Sequence, residues 1–236
     1  MPDSFYIGYV DRLPGPSRRL LRWLLPLLAL LLLLSGYLLV TAQQFDASRF
    51  DFGNVQTFEG TFRSNPHPHL QESNGGILLL VGTGKHEADL SDVDGLGPGS
   101  GVRLKGTLIM RGETRMVEVV AGSAELTGDQ VFQGLPVRLG PAQFDGEIVG
   151  SKCFLGVMNP AHGPVHAACA RHCILGGVPP MLHPGGDRTN TPILISGLDR
   201  TTLARMAARP VTVSGTRWSL PGLEWVEVSS IDPVTP

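Results

Sequence analysis

The chain has 236 residues, a formal net charge of −2 and only 17% charged residues. That balance gives no global field for nucleic acid, and no basic stripe with interleaved aromatics is present. At 42% hydrophobic residues the chain is too apolar to be disordered, and its 30 Gly and 19 Pro suit short strands joined by many turns better than a long-helix bundle.

The first predicted element is a membrane segment. From Trp23 to Val40 the sequence reads "WLLPLLALLLLLSGYLLV", without a charge. With Leu20 and Leu21 it spans about 20 residues, or roughly 30 Å of helix, which matches a bilayer core. Arg12, Arg18, Arg19 and Arg22 precede it, whereas Asp46, Arg49 and Asp51 follow. Cytoplasmic flanks carry the excess of Lys and Arg, so the N-terminus is predicted inside and everything after Thr41 outside. A cleaved signal peptide competes, because "VTA" at Val40–Ala42 has the small-x-small pattern of a cleavage site. The apolar run exceeds the usual core of about 7–15 residues, which favours an uncleaved anchor. The expectation is a cytoplasmic tail at 1–19, a transmembrane helix at 20–41, and a periplasmic or extracellular remainder on a bacterial inner membrane.

Two exported stretches look alike. "GVRLKGTLIMRGETRMVEVV" from Gly101 and "PVTVSGTRWSLPGLEWVEVS" from Pro210 each run from an alternating strand through Gly-Thr and a hairpin to Val-Glu-Val. Val117 and Val226 each lie 11 residues after their glycine, Gly106 or Gly215. Upstream, "FEGTF" at Phe58 matches "FDGEI" at Phe144, and "GILLLVG" from Gly76 resembles "PILISG" from Pro192. Period-2 alternation and Gly bends predict a mainly β protein with two tandem small OB-like barrels, at 42–125 and 140–236, joined by a junction at 126–139. The interval from Phe58 to Gly106 is 48 residues, and from Phe144 to Gly215 it is 71. The excess is an insertion at about 151–183 that contains all three cysteines. Insertions between strands are where binding and catalytic groups commonly sit.

Within the insertion, Pro164 is favourable as a first helical residue, and Gly176-Gly177 before Pro179-Pro180 is a helix stop. A short helix over "VHAACARHCIL" puts His166, Cys169 and Cys173 within an arc of about 60°, with His172 pointing away. Cys153, expected at a strand end, is the natural fourth group. Three readings compete. Cys153, His166, Cys169 and Cys173 form the Cys₃His ligand type that suits structural zinc, although CxxC is absent. Alternatively, Cys153 pairs with one helical cysteine as a disulfide staple. In the third reading, Cys169 or Cys173, tuned by His166, acts as a thiol-disulfide nucleophile. No GxSxG, HExxH, Walker or GxGxxG element occurs in a supporting context.

The stretch from Gly146 to Leu182 resembles an uncharacterised family of exported, membrane-anchored bacterial domains with the pattern G-x-I/V-x-x-x-x-C, then H-x-x-C-A-x-x-C-I-x-G-G-x-P-P. Gly146, Cys153, His166, Cys169, Cys173, Gly176, Gly177, Pro179 and Pro180 carry it. The resemblance covers about 40 residues and implies a recurring Cys/His site on an OB-like domain. Gly150 replaces the acidic residue usual before the Cys. The expected function is a non-enzymatic metal-binding or redox-associated accessory protein acting beside a membrane or periplasmic partner. A thiol-disulfide enzyme and a stapled interaction module are the alternatives.

Overall fold

The computed structural model describes residues 13–42, 48–129, 134–184 and 192–234. Residues 1–12 of the expected tail, Asp46 and part of the expected junction lie outside the described residues. The chain divides into two units, Met1–Phe45 and Asp46–Pro236.

Among the described residues, the first unit contains one helix, α1 (Gly15–Ala42). Within Gly15–Thr41 an 18-residue window reaches a mean hydropathy of 2.4, and the helix is long and apolar enough to cross a membrane, as a signal sequence also can be. α1 begins five residues before the predicted start, taking in Arg18 and Arg19; Pro16 near its start suits a helix N-terminus. The Ser35 hydroxyl donates to the Leu31 carbonyl at 2.6 Å, and Thr41 to Tyr37 at 3.0 Å. Both polar side chains are thus satisfied within the helix, as a lipid environment requires.

The second unit holds two barrels. The first comprises β1 (Ser48–Arg63), β2 (His69–Gln71), β3 (Ile77–Val81), β4 (Ser100–Arg111) and β5 (Thr114–Val119). They pair in the order β1-β2-β3-β5-β4, and β4 pairs back onto β1. β6 (Glu125–Asp129) adds to β4, so residues expected in the junction extend this first sheet. After β7 (Val137–Gly150) come α2 (Ser151–Leu155), a 3-10 turn (Pro164–His166) and α3 (Ala167–Leu175). β8 (Pro180–Pro184), β9 (Ile193–Ser196), α4 (Arg200–Met206), β10 (Pro210–Leu220) and β11 (Leu223–Pro233) complete the second barrel. It is closed in the order β7-β8-β9-β11-β10. In each barrel the third strand pairs in parallel with the fifth and every other pairing is antiparallel, the OB-like arrangement.

The registers match as well. Gly106 lies opposite Val119, and Gly215 opposite Val228. A Cβ on Gly106 would meet the Glu118 carbonyl oxygen at 2.6 Å, and one on Gly215 the Glu227 oxygen at 2.2 Å. Both glycines answer the same close approach of the neighbouring strand. The chain between the first two strands is residues 64–68 in one barrel and 151–179 in the other.

β3 explains how the insertion is held. "ILLLV" is buried throughout, as a strand covered on both faces must be. Leu78 and Leu80 fill the first barrel with Leu70, Leu104 and Val117. Leu79 and Val81 point the other way, joining Ile109 and Met116 against Val149, Phe154, Leu155, Cys173 and Val178. The inserted helices therefore pack in a shared core between the barrels.

Candidate metal centre

Each ligand candidate is positioned by a local feature. β7 ends at Gly150, and Cys153 lies within α2, not at a strand end as expected. A Cβ on Gly150 would meet the Cys173 Cβ at 2.7 Å, so glycine there lets α3 approach. The Gly163 N–H donates to Glu147 Oε1 at 2.6 Å, fixing the start of the turn that Pro164 opens. His166 ends that turn and cysteines 169 and 173 follow in α3. α3 closes with Val178 N–H donating to the Cys173 carbonyl and Gly177 N–H to that of Ile174, while Gly177 has φ +91°. This is a Schellman ending, and it needs a left-handed residue at Gly177.

Ligand atoms of Cys153, His166 and Cys169 lie within 4.8 Å of one another. The Sγ atoms of Cys153 and Cys169 are 3.4 Å apart, and those of Cys153 and Cys173 are 3.6 Å apart. All three cysteines are free thiols, so the disulfide staple is not formed. Cys173 touches Cys153 but lies outside the mutually close set. Its angle places it on the face of His166, yet seven residues of helix rise about 10 Å and separate the two. His172 is exposed, as its angle requires. Ligands about 2.3 Å from a tetrahedral zinc ion are about 3.8 Å apart, so the sulfur separations fit such an ion after small shifts.

His166 is 4% exposed, and its Nε2 is buried without a hydrogen-bond partner among the described residues. Burial lowers its pKa and keeps the ring neutral, the form that offers a lone pair. Sharing a proton with Cys173, together with burial, pushes the Cys153 thiol up, and the same hydrogen bond pulls Cys173 down. Burial raises Cys169, against a hydrogen bond from Lys85. Sequence reasoning missed Lys85, whose Nζ donates to Cys169 Sγ at 2.8 Å from the first barrel's β3–β4 loop. His67, in the first barrel's counterpart of the insertion, is half-buried, with Nε2 2.8 Å from the Ile195 carbonyl oxygen.

No family model, curated protein or solved structure gives a significant match to the chain. The functional reading therefore stands on the site's own chemistry. The two half-buried thiols of Cys153 and Cys169 and the buried neutral imidazole of His166 can hold a soft or borderline transition-metal ion. The half-exposed Cys169, close to Cys153, also has the elements of thiol exchange.

Proposed function

We propose that the protein is a metal-binding accessory module. Cys153, His166 and Cys169 hold a zinc-class ion, and Cys173, whose Sγ lies 3.6 Å from that of Cys153, turns its side chain toward the ion to supply the fourth ligand. α1 anchors the module in a bacterial inner membrane with its N-terminus in the cytoplasm, so both barrels face the periplasm or exterior and serve a protein partner there. The matching registers of the barrels support descent from one duplicated unit, and the resemblance of residues 146–182 to exported Cys/His domains is in keeping with this assignment.

The observation that carries the reading is the convergence of three ligand atoms within 4.8 Å, one residue of which presents a buried nitrogen with no other partner. A buried nitrogen left unpaired costs about 1–3 kcal/mol, and ligation through Nε2 would remove that cost. Full-length protein purified in detergent without chelator should carry one zinc-class ion per chain. A chain with no metal and three freely reactive thiols would overturn the reading.

A second reading rests on the sulfur distances. Cys153 is near enough to Cys169 and Cys173 for a small shift to bond it to either, so a thiol-disulfide function is the alternative. It predicts a metal-free protein whose mass falls by about two hydrogen masses on mild oxidation.

A further inference from the structure

Two lysines are exchanged across the barrel junction. Lys152, next to Cys153 and only 8% exposed, donates to the carbonyls of Gly82 and Gly84, each at 2.7 Å, and pairs with Glu118. It thereby holds the β3–β4 loop of the first barrel. That loop returns Lys85 to Cys169. The loop is fixed at a further point, where the Glu87 N–H donates to the Gly176 carbonyl at 2.8 Å. The Lys85 carbonyl oxygen occupies the space a Cβ on Gly176 would need, 1.8 Å from its ideal position.

Charge gives this arrangement a purpose. A divalent ion with three thiolates and one neutral imidazole carries one net negative charge. In a site whose His166 and Cys173 are buried and whose other two cysteines are half-buried, an uncompensated charge is still costly. A single ammonium hydrogen-bonded to one of the thiolates cancels it, whereas a monovalent ion would leave the assembly negative even with the lysine present.

Resting on the metal reading above, we infer that Lys85 is the positioning residue that completes this centre from the other barrel. Its cation balances a divalent metal–thiolate cluster, its hydrogen bond orients Cys169, and metal binding in the second barrel is thereby tied to docking of the first. Partners of this kind are typically worth about 10–100-fold in metal affinity.

The test compares full-length wild type, Lys85→Met and Lys85→Arg in detergent, titrated with zinc against a chromophoric chelator and then with cobalt. Lys85→Met should bind zinc about 10–100-fold more weakly. Its thiolate-to-cobalt charge-transfer band should move to lower energy, because a sulfur without its hydrogen bond is easier to oxidise. Lys85→Arg, which keeps the charge and a donor, should retain most of the affinity and a band near that of wild type. Equal zinc affinity and an unmoved band in Lys85→Met would overturn the inference while leaving the metal site intact. Equal weakening in both variants with an unmoved band would also overturn it, since that marks a packing role. Wild type that takes up no zinc would instead overturn the metal reading, and this inference with it.

Discussion

Replacing Gly176 by Ala perturbs the barrel-to-barrel contact without changing a ligand residue. Gly176 has φ −75°, so alanine meets no backbone objection there, and in open space the change would stabilise by about 0.4–1 kcal/mol. The new Cβ, however, would sit 1.8 Å from the Lys85 carbonyl oxygen and 3.0 Å from its carbon. Restoring ordinary contact requires the loop to withdraw by about 1.5 Å or more. Overpacking of this kind costs about 1–3 kcal/mol. Withdrawal also strips the Glu87–Gly176 and Lys85–Cys169 hydrogen bonds, each worth about 1 kcal/mol. The expected net loss is about 2–4 kcal/mol, and for a unit of this size a melting point lower by about 5–15 °C. Gly97→Ala is the control, since nothing lies within 4 Å of its Cβ position. Thermal melts of the full-length protein followed by circular dichroism provide the assay. A Gly176→Ala variant that melts at or above wild type would show that the loop does not rest on α3.

Other expectations follow from separate observations. Cys153 lies between the other two sulfurs, so Cys153→Ser should lower the bound metal-to-protein ratio to near zero, measured by elemental analysis after gel filtration. His69 is fully buried, and burial holds its pKa down to about 4. Its folded value lies below its unfolded one, so it favours folding fully above about pH 6.5, and that contribution of about 3 kcal/mol is lost as pH falls toward 4. Urea midpoints should drop over this window and flatten in His69→Gln; an unchanged pH slope in that variant refutes the assignment. A periplasm-active reporter at the C-terminus should be active and membrane-associated; a reporter active only in the cytoplasm would reverse the topology.

Elements with a periodic or positional signal were legible before any coordinates. The uncharged leucine run marks α1, and the equal spacing from Gly106 and Gly215 to Val-Glu-Val marks strands that share a register. The stop at Gly176-Gly177 marks the end of α3. What escaped depended on contacts distant in sequence or on displacement along an axis. Lys85 is 84 residues from Cys169, and a lysine in a glycine-bounded loop looks like any solvated one. Its trace lay in Gly176, which reads as a helix stop and also clears space for another chain segment. A helical wheel gives the angles of His166 and Cys173 but hides the rise between them. β6 pairs with the end of β4 in the first sheet, a tertiary pairing that local composition does not carry.

The central claim is tested most directly by X-ray absorption at the metal edge of the full-length protein, purified in detergent and quantified for metal beforehand. One zinc-class ion per chain with mixed sulfur and nitrogen scatterers, the sulfurs at about 2.3 Å, is the predicted result. A metal-free protein, or an ion surrounded only by oxygen and nitrogen, would contradict it.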